Sequence, residues 1–442
     1  MAKSIINKLF MCFCILSVVL VTMSCSDESD SKIVDIENIV DQNEQKQDAN
    51  VDSIVVYMMP ETTAIELTEE QRSYVLASND FSIRLYQCAN TSKSVADNNI
   101  LSPLSVTYLL SMLNDGAQGK ASDEIIRLLG VGDTEKASLR EFCKLVIEKA
   151  PSIDPSVILE LANVIIGNSS LGVDFEPAYA KCVRDNYAAE VISEDFSQTS
   201  AVDRINKWCN EKSHGMIPKI IETLDSNEAF VLMNAIYFSS TWTEKFDKAN
   251  TQMELFTNSQ GKQIQLPMMH NKAQVFCGKN DIYTSVRLPY GSGNRWSMFV
   301  LLPNDSKTVD DVINCLADNN WEKDEKEVIA DIKIPRFSTK SKTELKDVIS
   351  SLGASSIFDP KLADFQLISN TYKDFFVGKI FQETAIDVTE EGTKTSAVTV
   401  VKGETLNVKS YDNVDFHCNR PFVYVIQEAS SGAIFFIGTF RG

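Results

Sequence analysis

The chain has 442 residues, 44% hydrophobic and 23% charged, a globular balance. Its formal net charge of -19 argues against nucleic-acid binding and against docking on anionic lipid through a basic patch. It has three histidines, His214, His270 and His417, but no zinc-ligand spacing, no Cys-x-x-Cys pair, no phosphate- or dinucleotide-binding glycine loop and no Gly-x-Ser-x-Gly elbow. The sequence therefore offers no positive sign of an enzyme and implies neither cofactor nor metal.

Residues 1–24 read as an export signal. Lys3 and Lys8 precede an apolar run from Leu9 to Met23, too short for a comfortable membrane span. Cys25 follows the small Ser24, which resembles the lipobox of bacterial lipoproteins, whose cysteine is acylated, although Thr22 stands where leucine is usual. Ser26-Asp27-Glu28 resembles the acidic surface-export signal of Bacteroidetes lipoproteins. The alternative is a plain secretory peptide that happens to contain a cysteine. Residues 25–67 are acidic and polar with scattered Ile and Val, and such a segment buries too little apolar surface to order itself, so a disordered tether is expected. The protein is expected to be exported: lipid-anchored at the outer membrane or cell surface, or secreted, touching a membrane only through the anchor.

Thr68-Glu69-Glu70-Gln71 has the spacing of a capping box and should open the folded part, with Phe81, Leu85 and Cys88 following at helical spacing. Length alone allows two or three domains, but no linker-like stretch follows, so residues 68–442 are expected to form one domain. Ser102-Pro103 reads as a helix N-cap with proline in the first turn, and Val106, Leu109, Leu110 and Leu113 supply an apolar face that stops near Gly116. Ser102 and Ser105 lack a neighbouring histidine, which makes capping the expected role. Residues 162–166 and 230–238 read as buried strands. Asn234 interrupts the second, and a buried amide left without partners costs about 1–3 kcal/mol, so it should clamp another part of the core. Ile205 to Cys209 lies on an amphipathic helix ending at His214-Gly215. Ile334-Pro335-Arg336-Phe337 precedes a helix carrying Leu345, Val348, Ile349 and Leu352, stopped by Gly353. Residues 376–388 read as a strand, and residues 422–427 and 433–438 as a hairpin around Ser430-Ser431-Gly432. Helices first and a β-rich end argue for a mixed α+β architecture on antiparallel sheets.

The stretch from Glu390 to Asn407 is unusual for a loop. Thr393, Thr395, Val398, Thr399, Val400 and Val401 are β-branched and suit an extended, half-buried strand. Gly392 can act as a backbone pivot. Thr393, Thr395, Ala397 and Thr399 share one uncharged face, while Lys394 points the other way. No proline occurs from Glu390 to Asn419, so no ladder hydrogen bond is forbidden. Taken alone, the stretch reads first as an ordinary hairpin strand near the C-terminus.

From Thr68 onward these segments resemble the serpin family. The resemblance rests on Asn99 to Ser105, on Asn234-Ala235-Ile236-Tyr237-Phe238 followed by Trp242 and Phe246, and on Ala363-Asp364-Phe365. It is continued by Glu390-Glu391-Gly392-Thr393, by Phe416 to Tyr424 and by Gly432 to Gly438. Ser239-Ser240 replaces the family's usual basic residue and glycine. The resemblance implies a serpin fold with three β-sheets, about eight or nine helices and an exposed reactive-centre loop, monomeric and without catalytic residues of its own. It implies a suicide substrate that traps a serine protease as an acyl-enzyme by inserting its cleaved loop into the main sheet. The hinge would be Glu390, Glu391, Gly392, Thr393, Thr395, Ala397 and Thr399.

Two departures bear on this. Thr395-Ser396-Ala397-Val398 is bulkier than the family's run of small residues, and Gln382 occupies the position of a histidine common in inhibitory members. Gln382 is expected to complete a shutter by bonding Asn234 and Ser105. The family's spacing puts the attacked bond at Leu406-Asn407, with Lys402-Gly403 and Lys409-Ser410 as alternatives. Leucine would select a chymotrypsin-, elastase- or subtilisin-like protease and lysine a trypsin-like one; cysteine proteases are further possible targets. The competing readings are a non-inhibitory serpin-fold binding protein or protease substrate, and a hydrolase, which adjacent His417 and Cys418 on opposite faces of a strand do not support. The seven cysteines after Cys25 form no framework and are expected to be free thiols.

Overall fold

Thr68 and Gln71 exchange two hydrogen bonds, Gln71 N–H to Thr68 Oγ1 at 3.1 Å and Thr68 N–H to Gln71 Oε1 at 3.0 Å, and the expected capping box starts helix α1, Glu69–Thr91. The computed structural model describes residues 62–91, 98–132, 136–293, 295–318, 321–371, 375–393 and 410–442. These residues belong to one compact unit. The export signal, Cys25, and the loop residues 394–409 lie outside the described residues. The tether expected to extend to residue 67 ends earlier. Thr63 N–H donates to Ile153 O and Ile65 N–H to Ser430 Oγ, both at 2.9 Å, because Ile65 and Leu67 find apolar partners on the domain.

Strand β1 (Asn99–Leu101) leads into α2 (Pro103–Asn114), and all twelve residues of α2 are buried. The apolar face anticipated from Val106 to Leu113 is present, but the opposite face is covered too, so α2 runs through the interior. Ser102 stands at its N-cap position without capping it by its side chain. The hydroxyl instead meets that of Ser105 at 2.9 Å, because in a buried site a hydroxyl takes whichever partner is near. Then follow α3 (Gly119–Leu129), α4 (Lys136–Lys149), β2 (Val157–Asn168), α5 (Pro177–Tyr187), β3 (Ala189–Glu194), α6 (Thr199–Lys212) and β4 (Phe230–Thr241). The next strands are β5 (Gln252–Thr257), β6 (Gln263–Lys279), β7 (Tyr283–Tyr290) and β8 (Trp296–Pro303), then α7 (Val309–Cys315) and β9 (Lys326–Pro335). The chain ends with β10 (Phe337–Glu344), α8 (Lys346–Ser351), β11 (Val377–Thr389), β12 (Gly392–Thr393), β13 (Asp412–His417), β14 (Phe422–Glu428) and β15 (Ile434–Phe440).

One sheet runs β10-β11-β12-β4-β2-β3. The other strands form a network of nine, whose two parts meet along β6: β7 pairs only Phe276 to Lys279, while β5 and β9 take the rest of that strand. Counting these parts separately gives the three sheets expected, with eight α-helices among the described residues. The main core lies between the sheets, where Phe238 of β4 meets Tyr290, Trp296 and Phe436 with ring centroids 5.3–5.8 Å apart. A second apolar layer covers the outer face of the six-stranded sheet under α6 and residues 216–221. Among the described residues the seven cysteines form no disulfide.

Candidate functional site: the gap between β4 and β11

β11 and β4 are parallel neighbours in a sheet whose other long pairs flanking them, β10–β11 and β2–β4, are antiparallel. They pair from Val377 and Phe230 up to Thr384 and Ile236. A strand entering between them would run antiparallel to both, the better ladder of the two kinds. β12 already does so at the upper end. Thr393 pairs with Val388 of β11 and Ser240 of β4, and Gly392 pairs with Thr389 and Thr241. Gly392 and Thr393, expected as part of a hinge, therefore lie in the sheet as a two-residue strand.

The turn that reverses the chain, Glu390-Glu391, is held on both carboxylates. Glu390 is buried, lies 3.1 Å from the Arg336 guanidinium and accepts from Thr251 Oγ1 at 2.7 Å. Glu391 pairs with Lys245 at 3.1 Å and Lys248 at 3.0 Å. Hydrogen bonds from Lys248 and Lys245 hold its carboxyl below the usual range. The turn's carbonyls accept from Phe246 and Trp242 N–H, and the Trp242 indole donates to Thr389 O at 2.9 Å. Gly392 has φ +138°, and a Cβ there would come within 2.2 Å of Ser240 O and 2.6 Å of Thr241 Cα. Only glycine fits, as the sequence reading of a pivot anticipates. Thr393 points inward, with Oγ1 2.9 Å from the Tyr290 hydroxyl, and the Tyr290 ring stacks on Trp242 at 4.4 Å.

Lower in the gap the expected shutter differs in its bonds. Gln382 and Asn234 are register partners, and both are fully buried on the inner face. Gln382 does not bond Asn234 or Ser105. Its Oε1 accepts from Ser102 N–H at 2.8 Å and its Nε2 donates to Ser102 O at 2.6 Å. Glutamine is long enough to reach the backbone at the start of α2, and its amide has both a donor and an acceptor for it. Ser105 joins through the Ser102 hydroxyl and through its own N–H, which donates to Ser102 O at 3.1 Å. Asn234 turns the other way and donates to Asn163 Oδ1 at 2.9 Å, while Asn163 donates to Tyr187 O at 2.8 Å. This leaves Asn234 Oδ1 and Thr384 Oγ1 buried in the gap with no partner among the described residues.

Of the remaining expected positions, Ser410 is described and exposed, two residues before β13. Thr395, Ala397, Thr399, Lys402, Gly403, Leu406, Asn407 and Lys409 fall outside the described residues. The sequence reading did not identify Tyr290, nor Lys245, Lys248 and Arg336 as partners of the hinge. Tyr290 had a faint signal in Pro289-Tyr290-Gly291, an aromatic at a strand end; the three cations had none.

A family model described as Serpin (serine protease inhibitor) matches residues 76–441. Among curated proteins the chain is 28% identical to Serpin-Z7 of Hordeum vulgare, across 85% of this chain and 98% of that one. It is 26% identical to neuroserpin of Gallus gallus, across 81% and 89%. Among solved structures it superposes on the thermophilic serpin tengpin in the native state with a TM-score of 0.75 at 24% identity, covering 87% of this chain and 97% of that one. It superposes on human thyroxine-binding globulin complexed with its ligand with a TM-score of 0.76 at 22% identity, covering 84% and 99%. At these identities the two superpositions establish the fold alone.

Proposed function

The chain belongs to the serpin family, and on that premise we propose that it is a suicide-substrate inhibitor of serine proteases. The observation that carries this reading is β12: a hinge already paired with both β11 and β4 needs only more of its own chain to continue as a central strand. Continuing that register would set Lys394 opposite Asp387, Ala397 opposite Thr384, and Thr399 between Gln382 and Asn234. Thr399 would bring a hydroxyl to the unpartnered Asn234 Oδ1, and no charge would enter the inner face. Gly403 would reach Phe230 at the far end of β4.

A bond at Leu406-Asn407 would then lie just beyond the sheet, which supports that choice over Lys402-Gly403. In the reaction, the protease's serine oxygen attacks the Leu406 carbonyl carbon. The bond to the Asn407 nitrogen breaks, and that nitrogen leaves as an amine carrying the proton that the protease's own base took from the serine. The ester that remains ties the protease to the upstream part of the loop. Strand addition carries it to the far end of the sheet and distorts its oxyanion hole before water can attack; that site supplies several kcal/mol of catalysis. The added ladder drives the change, and a kinetic barrier preserves the uncleaved state. The inhibitor contributes no catalytic group. We place it outside the cytoplasm, a monomer anchored through acylated Cys25, or secreted.

Mixing the protein with elastase, chymotrypsin, trypsin and subtilisin and running denaturing gels tests this. A boil-resistant adduct of inhibitor plus protease is expected, with a released fragment beginning at Asn407 by mass spectrometry. A fragment beginning at Gly403 or Ser410 would move the bond to a lysine. Cleavage without an adduct and without a gain in heat stability would sink the inhibitor reading. It would leave a serpin-fold binding protein or substrate, which the bulk of Thr395 to Val398 favours.

A further inference from the structure

The cover on the outer face of the six-stranded sheet spans the gap. Ile205 and Cys209 of α6 pack in one layer with Val231 and Met233 of β4 and Phe381 and Ala385 of β11. An added strand would part β4 from β11 by about 4.8 Å, so the cover cannot keep its contacts with both strands while one enters.

Glu383 lies inside this layer. It shares a face with Phe381 and Ala385, opposite Ala235 on β4 and Lys342 on β10. Its Oε2 is buried with no hydrogen-bond partner. The charged groups facing it are Lys342 and Lys340 of β10, both exposed, with Lys342 Nζ 5.6 Å over the Phe381 ring; α6 presents the Cys209 thiol. Burial pushes the Glu383 carboxyl up to about 7 against the pull of these lysines.

The cover has a second hold just past the end of α6. His214, at φ +52°, brings Nε2 to 2.7 Å from Glu160 Oε2 of β2, and its ring centroid lies 4.4 Å from that of Tyr237 of β4. Glu160 and Tyr237 are cross-strand partners on the outer face. The neighbouring Lys212 is engaged with Glu190. A proton acts on the first hold. A neutral Glu383 leaves no unpaired charge in the apolar layer.

We propose that Glu383 is a proton-controlled clip on the α6 cover, fastened under mild acid and loosened as pH rises from 6 to 8, so that the gap admits an added strand faster on the alkaline side. The second half rests on the reading above, that the sheet takes up its own loop.

Two measurements on the intact chain test this: hydrogen exchange of the α6 amides, corrected for intrinsic rates, and the uptake rate of a synthetic peptide with the sequence of residues 393–404. Wild type is expected to lose up to about tenfold of α6 protection between pH 6 and pH 8 by linkage, with faster peptide uptake. Glu383→Gln should hold its pH 6 protection at both values, with Glu383→Leu as a second variant if the first folds poorly. Equal pH dependence in wild type and both Glu383 variants would overturn the clip. A pH-dependent cover with no peptide uptake would keep the clip and overturn strand addition. Peptide uptake at one rate under a pH-indifferent cover would do the reverse.

Discussion

Thr393 Oγ1 is 2.9 Å from the Tyr290 hydroxyl, so the first inward-facing loop residue is bonded to a strand of the opposite sheet before any protease arrives. The site is closed: Thr393 is 1% exposed. Thr393→Arg would force a cation into it without a carboxylate partner, at a cost of several kcal/mol. The expected outcome is a protein that proteases still cleave but that forms no boil-resistant adduct on a gel. Adduct at the wild-type yield would show that the loop enters the sheet by another route.

Gly392→Ala tests the turn. Its Cβ would press on Ser240 O and the Thr241 backbone, at a φ that L residues avoid. Strain of this kind costs on the order of 1–3 kcal/mol, enough to push β12 out of the sheet. Trp242, whose indole holds the Thr389 carbonyl, should report this as a change in fluorescence relative to wild type.

Gln382→Ala would strip the partner from the Ser102 N–H and one of two donors from its carbonyl, which keeps the Ser105 N–H. A buried N–H left unpaired costs about 1–3 kcal/mol. Thermal unfolding of the uncleaved protein should move clearly downward. An unchanged midpoint would mean that this bond pair does not lock α2 to the sheet.

Thr399→Val keeps the shape of the side chain and removes its hydroxyl. The uncleaved protein should unfold as wild type does. The cleaved form should lose about 1 kcal/mol, the usual worth of one hydrogen bond, because Asn234 Oδ1 stays unpartnered. Calorimetry of the two forms separates these outcomes.

Asp331 supplies a pH dependence at the other end of the loop. It accepts hydrogen bonds from His417 of β13 at 2.9 Å and His270 of β6 at 3.1 Å. The bond from His417, with that from His270, holds its carboxyl below the usual aspartate range. A carboxyl lowered by folding contributes stability above its unfolded value and loses it as pH falls through the folded one. Unfolding scans from pH 5 toward pH 2 should show a loss that Asp331→Asn lacks.

Much of this architecture was readable because its signals are local. Thr68 and Gln71 are three residues apart, and Phe230 to Phe238 is an apolar run broken only by Asn234. β10 was missed because its buried positions after Phe337 are Thr339, Ser341 and Thr343, so a true alternation of faces has no alternation in hydropathy. The residues expected to form a shutter, Ser105, Asn234 and Gln382, are all buried, but their bonds differ from those expected. Which partner Gln382 takes depends on where α2 begins relative to β11, 280 residues away in sequence. Lys245, Lys248 and Arg336 look like any solvated cations until the fold brings them to the turn.

On the proposed reading, the two-residue rung at Gly392-Thr393 changes what would limit the speed of loop uptake. Forming a hairpin from an open chain requires a search for register and a loop closure, both entropically unfavourable. Here both are complete in the resting state, and the ion pairs on Glu390 and Glu391 keep them so. In the proposed reaction a cleaved chain would have no register to find. Insertion would then be a first-order unzipping of β4 from β11, and its rate should depend on how firmly those two strands and their cover hold together rather than on the length of the loop.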